Sequence, residues 1–123
     1  TGESATMTDD EDNSVVAAVV KHVAGRVPVI AGSGSNSTQT MLTKSLTYQG
    51  LGADGLLLIT PYYNKSNEEG IYQHFKTVAD AVDIPCILYN IPGRCGCGPP
   101  APCSCGGLRH RSAGRRPSTC RRI

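Results

Sequence analysis

The chain has 123 residues, room for one ordinary domain at most. It opens on Thr1-Gly2-Glu3-Ser4 with no apolar run, so neither a signal peptide nor a membrane span is expected, and the start reads as a cut end. The formal net charge of +2 conceals two unlike parts: residues 1–93 hold all ten acidic residues and five basic ones, whereas 94–123 hold seven arginines and no acid. Five of the six cysteines lie at or beyond Cys95.

In chain order, Thr8-Asp9-Asp10-Glu11 reads as a capping box with acids at the positive end of a helix. Val15, Val16, Val19, Val20 and Val23 follow on one face at helical spacing, and Gly25 ends the element. Val27-Pro28-Val29-Ile30-Ala31 is a short apolar run. Asn36 or Ser37 caps a second helix, with Met41, Leu42 and Leu46 inward and Gly50 near its end. Leu56-Leu57-Leu58-Ile59 is the next run. Ser66-Asn67-Glu68-Glu69 reads as another capping box, and Ile71, Phe75, Val78 and Val82 give a third helical stripe. Cys86-Ile87-Leu88-Tyr89 closes the series. His22 and His74 fall within helices and are expected at the surface.

Continuous apolar runs suit strands buried on both faces, and helices between them imply βα units in a parallel sheet. The spacing fits either a (β/α)8 barrel or a doubly wound sheet. Each run is followed by a polar cluster: Gly32-Ser33-Gly34-Ser35-Asn36, Thr60-Pro61-Tyr62-Tyr63-Asn64 and Asn90-Ile91-Pro92-Gly93-Arg94. In parallel α/β folds the carboxyl ends of strands carry the chemistry, so the three clusters should converge on one face. The glycine-serine segment lacks the third glycine of a dinucleotide fingerprint and the Lys-Ser/Thr of a P-loop, and reads as a flexible loop.

Taken with Gly2-Glu3-Ser4 and Ile30–Asn36, the segments Thr60–Asn64 and Tyr89–Arg94 resemble the signature segments of the dihydrodipicolinate synthase family. Sialic acid lyase and related pyruvate aldolases share the Gly-Glu and Tyr-Asn-x-Pro elements, and the Gly-Arg after the proline favours the synthase. The resemblance covers residues 1–94. It implies an α/β fold: a partial (β/α)8 TIM barrel of about three βα units. It further implies Schiff-base aldolase chemistry, in which pyruvate bound to a lysine becomes an enamine and attacks aspartate semialdehyde, giving 4-hydroxy-tetrahydrodipicolinate. No cofactor and no metal are implied. Pyruvate and aspartate semialdehyde are the implied partners, within a cytoplasmic homotetramer built as a dimer of dimers; neither nucleic acid nor membrane is expected.

The same resemblance assigns residues. Tyr89 matches the proton donor and acceptor; without the motif it would read as a strand-end tyrosine packing a core. Tyr63 matches a relay tyrosine that reaches a neighbouring subunit's site, though Tyr62-Tyr63 alone would read as a turn pair after Pro61. Thr1 matches a threonine that holds the pyruvate carboxylate. Arg94 matches an arginine at the site entrance that binds the semialdehyde carboxylate, a role suited to a guanidinium fork. Ser4, Ala5, Asn36 and Tyr62 match an allosteric lysine site. Asp9, Asp12 and Thr40 stand where lysine-sensitive members often carry His, His and Glu, so strong feedback is not expected.

Beyond Arg94 the resemblance fades within two or three residues, and no lysine follows Lys76, although the family's Schiff-base lysine would lie on a later strand. Residues 95–123 hold five Cys, five Gly and four Pro, a composition that buries no core and reads as a disordered basic tail. A nucleic-acid-binding tail and a metal site on Cys95, Cys97, Cys103, Cys105 and His110 are the alternatives weighed; the Cys-x-Cys pairs lack the usual zinc spacing. A reading-frame shift near Arg94 is the preferred explanation of the abrupt change. The chain alone is therefore expected to be inactive, either a partial pyruvate aldolase or a non-catalytic fragment.

Overall fold

The computed structural model describes residues 3–91 and Cys95. Among residues 3–91, a 3-10 turn at Ser4–Thr6 is followed by three helices alternating with three strands: α1 (Asp9–Val23), β1 (Ile30–Gly32), α2 (Thr38–Gly50), β2 (Gly55–Ile59), α3 (Glu68–Ala81) and β3 (Cys86–Tyr89). The strands form one sheet in the order β1-β2-β3, both pairings parallel. Ile30 pairs with Gly55, and Leu57 with Ile87. A sequential parallel order is shared by a barrel and by one half of a doubly wound sheet, so three strands alone fit both.

Local chemistry sets the helix starts. Thr8 caps α1 through its side chain, and Glu11 returns the bond to the Thr8 backbone, completing the expected box. Ser37, one of the two candidate caps, receives the backbone N–H of Thr40. At α3 the cap is Asn67, which accepts from the Gly70 N–H at 2.8 Å. The expected box on Ser66 is therefore corrected: the helix starts one residue later, and Glu68 and Glu69 act only as acids in its first turn.

The core gathers between the sheet and its helices. Met41, Leu56, Leu58 and Val78 are wholly buried, with Ala31, Tyr48, Ile71, Phe75 and Val82 around them. The α3 stripe faces inward as its spacing predicts. On α1 only Val16, Val20 and Val23 are partly buried, while Val15 and Val19 are exposed, so the five-valine face is half realised. On α2 the inward face is Met41, Ser45 and Tyr48, and Leu46 is exposed. The phase is fixed by Ser45, whose hydroxyl lies 2.8 Å from that of buried Ser33 just after β1. Two hydroxyls that satisfy each other can be buried at little cost, which an apolar pattern does not register. The expected burial on both faces is only approached in β2, where Leu56 and Leu58 are buried but Leu57 and Ile59 are partly so; among the described residues β1 and β3 each have a single neighbour and stay partly open.

Side chains also tie the loops at the amino end of the sheet. Asp54 accepts the Val29 N–H at 2.8 Å, and Gln49 accepts the Asp83 N–H at 2.7 Å, which fixes the entry of β1 against the α2–β2 loop and that of β3 against α2. No helix among the described residues is long and apolar enough to cross a membrane.

Candidate functional site

A parallel sheet puts the carboxyl ends of its strands along one edge. There a cavity of about 220 Å³ opens, lined by Gly32, Gly34 and Ser35 after β1, by Leu57 and Ile59 of β2, by Tyr62, and by Tyr89 at the end of β3. Ser4, Ala5, Thr40 and Lys44 close its helix side. The first two polar clusters thus meet here, beside Tyr89, as their spacing predicts; residues 92–94 of the third lie outside the described residues.

The wall depends on close backbone approach. A Cβ placed on Gly34 would lie 2.4 Å from the Ile59 backbone nitrogen, so only glycine lets the β1–α2 loop lie against the end of β2. Tyr89 is held from behind. The Thr60 backbone N–H and Oγ1 both donate to the Tyr89 carbonyl, at 2.8 and 3.2 Å. Tyr89 is 42% exposed and lines the cavity from an open strand end.

Of the residues named from sequence, Tyr89, Tyr62, Ser4 and Ala5 are brought together around this cavity. Tyr63 is not: it is 90% exposed, with a left-handed backbone (φ 72°), and does not line it. Asn36 is engaged through its carbonyl, which accepts from the Asn64 side chain at 3.1 Å and joins the β1–α2 loop to the β2–α3 loop. Thr1 and Arg94 lie outside the described residues. So do Cys97, Cys103, Cys105 and His110 of the weighed metal site; Cys95 is helical and buried, its N–H donating to the Ile91 carbonyl at 2.8 Å.

Two features of the site escaped sequence reasoning. Lys44, mid-helix on α2, reaches across to α1 and pairs with Asp12 at 2.7 Å and Asp9 at 3.1 Å. Burial pulls against its charge, but the bonds to Asp12 and Asp9 outweigh it and hold the ammonium above the usual lysine range. For Asp12, burial raises the carboxyl while Lys44 and Ser4 lower it, with a net result below the ordinary range. The second feature is His74, expected at the surface but 5% exposed. Its Nδ1 lies 2.7 Å from Thr38 Oγ1, joining α3 to the start of α2 behind the cavity loop. Burial pushes its imidazole below the usual range, opposed in part by the Ser35 backbone. The signal for His74 was its place between Ile71, Phe75 and Val78 on the buried stripe.

Comparison with known proteins gives this geometry its family. A family model described as the dihydrodipicolinate synthetase family matches residues 1–99. The chain belongs to that family. It is 56% identical over 96 residues to the 4-hydroxy-tetrahydrodipicolinate synthase of Pelobacter propionicus, covering 78% of this chain and 33% of that protein. Among solved structures, a chloride-inhibited dihydrodipicolinate synthase from Acinetobacter baumannii complexed with pyruvate superposes with a TM-score of 0.77 at 46% identity, over 78% of this chain and 33% of that one. A synthase from Cyanidioschyzon merolae with lysine bound superposes with a TM-score of 0.75 at 47% identity, over 77% and 33%. The three strands are thus part of a (β/α)8 barrel, in a family of lyases. The chain spans about a third of the length of the relatives it matches.

Proposed function

We propose that residues 1–94 furnish one wall of the pyruvate site of a 4-hydroxy-tetrahydrodipicolinate synthase, which condenses pyruvate with aspartate semialdehyde in the diaminopimelate route to lysine. The observation that carries this reading is the strand-end cavity bordered by Tyr89, on a chain 56% identical to such a synthase. A tyrosine at a strand end, its backbone clamped and its ring open to the cavity, suits a group that gives and takes a proton beside a bound imine. Tyr63 serves as the relay; its exposure leaves it free to reach a neighbouring subunit of a cytoplasmic homotetramer. Thr1 and Arg94 take the two carboxylates of the substrates.

Lys44 borders the same cavity, yet its ammonium is tied to two carboxylates and is held protonated, the wrong state for a nucleophile. The Schiff-base lysine is therefore not Lys44, and no lysine follows Lys76, so the 123-residue chain alone is inactive. Ser4, Ala5 and Tyr62, with Asn36 nearby, form the side of the cavity assigned to a lysine effector, whose hold here is weak because Asp9, Asp12 and Thr40 differ from the lysine-sensitive pattern.

A chimera tests the assignment: residues 1–94 replace the matching third of the Pelobacter propionicus synthase. The hybrid should condense pyruvate with aspartate semialdehyde. A folded hybrid that forms no product would overturn the reading.

A further inference from the structure

His74 stands on the inward stripe of α3 with Ile71, Phe75 and Val78, where an apolar side chain would pack without burying a polar ring. Its ring meets that of Phe75 edge-on, with centroids 5.5 Å apart. Its Nε2 is buried without a hydrogen-bond partner among the described residues, which adds to the cost of a histidine here. Its Nδ1 lies 2.7 Å from Oγ1 of Thr38, thirty-six residues away in sequence. That bond is what a histidine supplies at this position and an apolar residue would not.

Thr38 is the first residue of α2, directly after the cap Ser37. The Ser37 N–H donates to Ser35 Oγ at 3.2 Å, and Gly34 and Ser35 line the cavity together with Ile59 and Tyr89. At its other end the same loop is pressed against β2, since a Cβ on Gly34 would come within 2.4 Å of the Ile59 nitrogen. The loop is therefore held by β2 backbone on one side and by an α3 side chain on the other. We propose that His74 is a positioning residue for the cavity: through Thr38 it anchors the start of α2 and so sets the wall that Gly34 and Ser35 present to a ligand. His74 does not line the cavity. Its loss should therefore loosen the wall that receives pyruvate and weaken binding more than turnover. That kinetic consequence rests on the pyruvate reading given above; the anchor rests on the geometry alone.

Amide hydrogen exchange on the full 123-residue chain tests the anchor without requiring activity. Thr38→Val keeps the shape of the side chain and removes only the hydroxyl, and His74→Phe keeps an aromatic ring and removes both nitrogens. Either should speed exchange of the Ser37 and Thr40 amides, which bond within this turn, about three- to tenfold, the worth of one hydrogen bond. The Leu56 amide, bonded to the Pro85 carbonyl at 2.9 Å in the sheet, should change by less than about twofold. Combining the two substitutions should add nothing further, since both remove the same bond. Thr38→Ser, which retains the hydroxyl, should exchange as the native chain does. If His74→Phe does not fold, Thr38→Val and Thr38→Ser decide. In the active chimera, Thr38→Val should raise the KM for pyruvate about three- to tenfold with kcat held within about twofold, and Thr38→Ser should restore it. Native exchange at Ser37 and Thr40 in Thr38→Val overturns the proposal. So does equal acceleration at Leu56, or an unchanged KM in the chimera. An unaltered chimera that makes no product counts against the pyruvate reading alone, and the exchange result then decides whether His74 anchors the loop.

Discussion

Thr60 and Tyr89 are joined twice at the sheet edge: the backbone N–H and the hydroxyl of Thr60 both donate to the Tyr89 carbonyl, at 2.8 and 3.2 Å. Thr60 is 2% exposed, so the hydroxyl has no water to turn to. Thr60→Val keeps the shape and the backbone bond and removes only the O–H. It should cost about 1 kcal/mol of stability. In the active chimera it should lower kcat more than it raises KM for pyruvate, because it loosens the placement of Tyr89 without touching substrate. Denaturant melts and steady-state kinetics check both parts.

Gly34 carries a steric prediction. A methyl group there would meet the Ile59 backbone at 2.4 Å, and backbone cannot swing aside as a side chain does. Gly34→Ala should destabilise by about 1–3 kcal/mol and reshape the cavity wall. Gly50, at the end of α2, has nothing within 4 Å of its would-be Cβ, so Gly50→Ala is the control and should be neutral or slightly stabilising. Equal losses in the two variants would show that the close approach at Gly34 is not what matters.

His74 predicts a pH dependence. Burial depresses its folded-state pKa, so the folded protein resists a proton that the unfolded chain accepts near pH 6.5. Its contribution to stability is whole above about pH 6.5 and is lost as pH falls toward the folded value. His74→Asn places an amide near the Thr38 hydroxyl and cannot titrate. Between about pH 7.5 and pH 5 it should flatten the decline in stability seen with the native residue. Parallel declines in both proteins would assign the effect elsewhere.

Lys44 bears on the chemistry. With its ammonium held by Asp12 and Asp9, borohydride treatment of the full chain with pyruvate should leave no reduced adduct on Lys44. Peptide mapping by mass spectrometry reads this directly. An adduct on Lys44 would make it a nucleophile and overturn its role as a fixed cation.

Much of the fold was legible because some patterns are long and redundant. The α3 stripe of Ile71, Phe75, Val78 and Val82 repeats its message four times, and β3 occupies the whole of Cys86–Tyr89. Where one long-range contact overrides a local pattern, sequence reading slips. Leu46 looked inward, but the bond between Ser33 and Ser45 turns α2 so that polar Ser45 is buried and Leu46 is not. His74 looked like a surface residue because nothing nearby in sequence announces Thr38 as its partner, thirty-six residues away. Tyr89 and Tyr62 were reachable through motifs at strand ends, and Ser4 and Ala5 through the Gly-Glu-Ser segment before α1. Lys44 was not, since its partners lie on another helix and belong to no motif.

The proposed function stands on Tyr89 moving the proton in the condensation. Tyr89→Phe in the active chimera tests it most directly, since it removes one oxygen and leaves the ring in place. The kcat should fall by about 10²–10⁴-fold, with the borohydride-trapped pyruvate adduct still forming, more slowly, on the lysine that the relative supplies. An unchanged kcat would contradict it.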